Sequence, residues 1–169
     1  MRRNMAWAVL VVAAALLETT WLEAIRVMDV VPDLTLLLVV YFAIANGPER
    51  AMFTGVLGGL FQDVARNAVL GHDVLCYVIA GYVSGRIATR LATEHPAVKS
   101  GLVFTASLAV GLLSITILYV QDPGISALDN IVGRVVPGAF YTALFTPVLF
   151  FALDRSFRRT EWAFHGGAV

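Results

Sequence analysis

A carboxylic acid set deep in an apolar run is the costliest placement in this chain. Glu18 follows about 13 apolar residues, which puts it about 20 Å along a helix. An ionised side chain there costs about 2.5–3.5 kcal/mol at mid-membrane depth and less toward a surface. Glu18 must therefore face a protein interior or carry a proton, and it is expected to turn toward the outer ends of the third and fourth apolar runs. Thr19 and Thr20 add hydroxyls beside it and make a polar collar. A second polar group gathers Gln62, Asp63, Arg66, Asn67, His72 and Asp73 around Gly71. Asp63 and Arg66 are spaced i to i+3, so on a continuing helix they share a face, and an ion pair is the default reading. His72, Asp73, Asp63 and Glu18 are all metal-ligating types, yet none repeats the ligand spacing of helical zinc motifs, so no metal is expected. Asp33 follows Pro32 and reads as a helix start, the proline at the first helical position and the acid at the positive end of the helix dipole. Together Glu18, Thr19, Asp33, Asp63, Arg66, His72 and Asp73 form a candidate polar pocket.

The elements that must position these groups are long apolar runs, near Met5 to Ala24, Val30 to Ala45, Ala51 to Val64, Val74 to Leu91, Val98 to Val120 and Val132 to Leu153. With 59% hydrophobic and 14% charged residues in 169, the chain has more apolar surface than a soluble domain of its size can cover. Continuous apolar blocks, rather than alternating ones, specify helices and not barrel strands. The expectation is an all-α integral membrane protein, one six-helix transmembrane bundle over residues 1–169. The cations set its orientation: Arg2, Arg3, Arg50, Arg86, Arg90, Lys99, Arg155, Arg158 and Arg159 fall on one side, against Arg26, Arg66 and Arg134 on the other. That puts both termini in the cytoplasm. Arg2 and Arg3 before Ala6 to Leu17 have the look of a signal peptide, but an uncleaved inside anchor fits better with five runs still to follow. A net charge of zero gives no reason to expect a nucleic-acid partner.

The second and third runs fall short of the about 20 residues a bilayer needs, so burial among neighbours or local thinning is expected for them. Asn46-Gly47-Pro48 should reverse the chain tightly. Gly55 and Gly59, Gly81 and Gly85, and Ser107 and Gly111 recur at helix-packing spacing; packing within the bundle is the plainer reading, contact with a partner helix the sharper one. Pro137 and Pro147 should kink the last run. Ile125, Leu128, Ile131 and Val132 suggest a short interfacial helix within Asp122 to Gly133. Cys76, the lone cysteine, reads as a small buried hydrophobe.

No H-E-x-x-H, G-x-S-x-G, paired G-x-G-D or glycine-rich phosphate loop is present, so neither catalysis nor a cofactor is expected. Pro32-Asp33 followed by the Leu-Val run to Tyr41, then Gly47-Pro48, Gly55, Gly58-Gly59-Leu60, Asp63, Gly71, Tyr77, Gly81-Tyr82 and Gly85-Arg86, in that order, resembles the MreD family of bacterial rod-shape-determining proteins. Glu18-Thr19-Thr20 is similar to a polar-then-threonine element of that family's first helix, where Gln or Ser is more usual. The resemblance implies a non-enzymatic subunit of the cell-elongation machinery in the bacterial inner membrane. Such a subunit would bind membrane-anchored MreC within an assembly holding MreB, a RodA-type glycan polymerase and a class B penicillin-binding transpeptidase. It also implies a fold similar to the substrate-binding subunits of energy-coupling-factor transporters, and with it the alternative of a vitamin-type transporter subunit. Those subunits commonly dock their partner through alanines four apart in the first helix. Ala6, Ala8, Ala13, Ala14 and Ala15 do not supply that pair, which disfavours the alternative.

Overall fold

A computed structural model describes residues 2–20, 31–66, 69–91, 95–121 and 127–165. Among them the chain forms six helices and no strand: α1 (Arg2–Thr20), α2 (Leu34–Asn46), α3 (Pro48–Ala65), α4 (His72–Ala88), α5 (Pro96–Gln121) and α6. The sixth starts as Ala127–Asn130, passes through a π-helical stretch at Ile131–Val135 and continues as Val136–His165.

α2 is the centre of the bundle. Its 13 residues rise only about 20 Å, and every residue from Thr35 to Ala43 is buried. A helix that is apolar all round is stable only when covered all round, and α1, α3, α4, α5 and α6 supply the cover. The shortness expected of this run is therefore met by burial. Its start differs from the expected one: the helix begins at Leu34, Asp33 is the N-cap and Pro32 precedes it, with Asp33 Oδ1 accepting from the Leu36 amide at 2.7 Å. At the far end Gly47, with φ +87°, ends α2, and Pro48 is the first residue of α3. That single positive-φ residue makes the reversal, a conformation glycine adopts without a Cβ penalty.

α3 and α4 form the tightest pair, and the four spaced glycines make it so. A Cβ on Gly55 would lie 2.8 Å from the Tyr77 carbonyl carbon, and one on Gly59 2.6 Å from the Val74 Cα. From the other side, a Cβ on Gly81 would sit 2.9 Å from the Ala51 carbonyl carbon, and one on Gly85 2.6 Å from the Pro48 Cα. Backbone thus meets backbone along the seam, the close approach that small residues permit. These faces are occupied by the chain itself, which leaves no room there for a partner helix.

α5 and α6 flank this core and bury little of their surface: the apolar windows of Pro96–Gln121 and Leu128–Arg155 are 17% and 22% buried, and both helices are long and apolar enough to cross a membrane. Gly111 of α5 faces the Val135 side chain of α6. Leu128, Ile131 and Val132, expected in a separate interfacial helix, instead belong to the opening turns of α6; Ile125 lies outside the described residues. The π stretch has a local cause. Pro137 has no N–H, and its ring would press on the carbonyl of residue 133 in a regular helix. The widened turn, in which the Val136 amide donates to the Ile131 carbonyl five residues back, relieves that clash at Gly133.

Candidate functional site

The C-terminal ends of α1 and α3 and the N-terminal ends of α2 and α4 meet at one end of the bundle, and the charged residues of the chain's interior collect there. Glu18, 5% exposed, is reached by three donors. Its Oε2 accepts from the Thr35 amide at 3.0 Å and the Thr35 hydroxyl at 2.9 Å, and its Oε1 accepts from Arg66 Nη2 at 3.2 Å. The other arm of the guanidinium, Nη1, donates to Asp73 Oδ2 at 3.2 Å. Arg66 is always protonated and presents a planar fork; here the fork bridges a carboxylate of α1 to one of α4 while the residue itself sits just beyond the last turn of α3.

Asp63 does not pair with Arg66. Its Oδ2 accepts from the Gly71 amide and its Oδ1 from the Asp73 amide, both at 2.8 Å. The i to i+3 spacing suggested otherwise, but both Asp63 carboxylate oxygens are taken by amides at the start of α4, while the Arg66 fork reaches Glu18 and Asp73. Asp63 instead satisfies amide groups that the start of α4 leaves without helical partners. Replacing Asp63 by Ala should cost about 1–2 kcal/mol through those two charge-assisted bonds. Amide hydrogen exchange should then speed up first at Gly71 and Asp73; unchanged exchange there would remove Asp63 from this role.

Asp33 ties three helices together. Besides capping α2, its Oδ2 accepts from the Tyr77 hydroxyl at 2.8 Å, and its amide donates to the Thr142 hydroxyl of α6 at 3.1 Å. His72 Nε2 lies 2.8 Å from the Ser114 hydroxyl of α5 and 4.0 Å from Asp73 Oδ1. Gln62, fully buried, donates through Nε2 to the Thr35 hydroxyl at 3.0 Å. Among the described residues its Oε1 meets no donor, so one acceptor inside the network has no partner there. The Thr19 side chain lies outside the described residues. Among the described residues no three His, Cys, Asp or Glu side chains converge as a metal set.

This arrangement binds its own helices. The carboxylates of Asp33, Asp63 and Glu18 are engaged by donors of the same chain, and Cys76 is 1% exposed and holds no disulfide. The opposite end is stitched by weaker ties: Trp7 Nε1 donates to the Thr54 hydroxyl at 3.0 Å under the Arg50 guanidinium, and the Tyr41 hydroxyl donates to Asp154 at 3.0 Å. The described cations divide accordingly. Arg50, Arg86, Arg90, Lys99 and Arg155 lie toward this second end, and Arg66 and Arg134 toward the first.

A protein-family model described as rod shape-determining protein MreD matches residues 1–159. The chain belongs to the MreD family. Its role is accordingly in rod-shape determination, in a family of membrane proteins that act as shape-determining structural components. No curated protein and no solved structure matches it, so the likeness to energy-coupling-factor subunits rests on the sequence resemblance alone. Within this MreD-family chain, the partners that sequence reasoning missed are Thr35, Tyr77, Ser114 and Thr142. Each lies inside an apolar run, and Tyr77, Ser114 and Thr142 meet their partners 44, 42 and 109 residues away. The only sequence signal was position: Tyr77 stands one helical turn beyond Asp73 and shares its face.

Proposed function

We propose that this chain is a multi-pass, non-enzymatic subunit of the bacterial cell-elongation machinery, held in the inner membrane with both termini in the cytoplasm, and that it binds MreC. Through MreC it would join MreB, the RodA-type polymerase and the class B transpeptidase, and so help to organise peptidoglycan synthesis along the cylinder. The observation that carries this reading is the MreD family match across nearly the whole chain. Three features support it. The polar groups are engaged in holding helices together, the distribution of cations favours the end bearing Arg50, Arg86 and Lys99 as cytoplasmic, and the outer helices present apolar surface.

Because the glycine seam is filled from within, a lateral partner must use another face. α6 offers Phe140, Leu144, Val148 and Phe151, which are 62–70% exposed and stand three or four residues apart. Co-expression with MreC, followed by purification through a tag on this chain in mild detergent, should recover both proteins. Cysteine crosslinking from position 144 should reach the MreC transmembrane helix. A well-folded, monodisperse preparation that never retains MreC would defeat the partner assignment, and turnover of a lipid-linked wall precursor by the purified chain would defeat the non-enzymatic one.

A further inference from the structure

An apolar groove of about 220 Å³ runs between α4 and α5. Cys76, Val83 and Ile87 line it on one side and Leu102, Ala106 and Leu113 on the other. Each wall covers 11 helical steps, about 16 Å of rise, the reach of much of one acyl chain. Thr105, which also borders it, donates its hydroxyl to the Gly101 and Leu102 carbonyls and so adds no unmet polarity.

What distinguishes this groove from other apolar surface is its mouth. Continuing the α4 wall by three residues from Ile87 reaches Arg90, and continuing the α5 wall back by three from Leu102 reaches Lys99, so both stripes end in a cation. Arg90 is exposed, and its amide donates to the Ile87 carbonyl, which carries the turn past the helix end. Lys99 Nζ lies 5.6 Å from the Phe150 ring, and Arg86, next to the mouth, donates to the Tyr82 hydroxyl at 3.3 Å. Among the described residues no carboxylate forms an ion pair with Arg86, Arg90 or Lys99. An apolar slot for a chain beneath cations that no described carboxylate engages complements one molecule of the bilayer, an anionic phospholipid.

We propose that the α4–α5 groove is a binding site for an anionic glycerophospholipid, its acyl chain along Ile87 to Cys76 and its phosphate between Arg90 and Lys99. The site rests on the membrane-embedded reading above and faces the cytoplasmic leaflet in that topology.

The test titrates the full-length chain, purified in detergent, with phosphatidylglycerol or phosphatidylcholine of matched acyl chains, and counts bound lipids by native mass spectrometry. The wild type should retain one phosphatidylglycerol in preference to phosphatidylcholine. The R90Q/K99Q variant should weaken that binding by roughly tenfold or more, as expected when two cations leave an anionic contact, and leave phosphatidylcholine binding unchanged. Ala109→Phe, which fills the groove from its exposed rim, should weaken phosphatidylglycerol binding with both cations intact. Equal retention of the two lipids, or full selectivity in R90Q/K99Q, would overturn the site, as would a partner helix crosslinking to position 109 with no lipid bound. Extraction of the chain from membranes by alkaline carbonate would instead overturn the membrane reading itself, and is scored separately.

Discussion

Replacing Arg66 by Gln should lower the stability of the bundle by about 2 kcal/mol. Breaking a buried ion pair by removing one partner costs about 3–5 kcal/mol because the other charge is left uncompensated. Here the Glu18 side chain is 4% exposed but that of Arg66 is 50% exposed, so solvent screening lowers the figure. The loss has two parts. Glu18 keeps its Thr35 donors but has no cation, and Asp73 loses the arm that linked α4 to α1. Arg66→Lys keeps the charge yet has no planar fork to bridge two carboxylates, so about half the loss should remain. A double-mutant cycle decides the matter. If Glu18 and Arg66 act as one unit, Glu18→Gln combined with Arg66→Gln should cost at least about 0.5 kcal/mol less than the sum of the single changes. Thermal unfolding in detergent measures each variant, and strict additivity would show that the pair is not a functional tie.

The sequence announced the helices more clearly than the contacts between them. Six apolar runs, the Asn46-Gly47-Pro48 reversal and the glycine spacing were all legible because each is local: a hydrophobic block, a positive-φ turn, a repeat every four residues. Glu18 was conspicuous for the same reason, since a charge in an apolar run carries its cost wherever the run is placed. Its partners were not conspicuous. Which carboxylate Arg66 reaches depends on the start of α4 turning its Gly71 and Asp73 amides onto Asp63 and on α1 lying beside α2 and α3, neither of which spacing encodes. The Asp63 to Arg66 pairing failed on that point, because the next helix's amides occupy both oxygens of the carboxylate. The π stretch before Pro137 was hidden likewise, for a proline announces a lost hydrogen bond but not how the helix absorbs it.

Gly59→Leu should be the most damaging single change in the chain, costing about 3 kcal/mol or more. Even a Cβ at this position would stand 2.6 Å from both the Cα and the amide nitrogen of Val74 and 2.9 Å from the carbonyl carbon of Asp73. These are backbone atoms of a helix, so no side-chain rotation makes space, and overpacking that usually costs about 1–3 kcal/mol has no cheap relaxation here. α3 and α4 would have to separate, which would pull Asp63 from the Gly71 and Asp73 amides and Arg66 from Asp73. The polar end would then fail together with the seam. Gly101→Ala is the matched control: it also lies in a helix, but a Cβ there meets nothing within 4 Å. It should be neutral or stabilising by up to about 1 kcal/mol, because alanine loses less backbone entropy in a helix. The contrast also bears on partner binding. If MreC docks elsewhere than the seam, Gly59→Leu should abolish its recovery only by collapsing the bundle, with monodispersity and partner lost together. A Gly59→Leu protein that stays folded and monodisperse yet no longer retains MreC would mean that a partner helix does reach this face, and the assignment of the glycines to internal packing would be wrong.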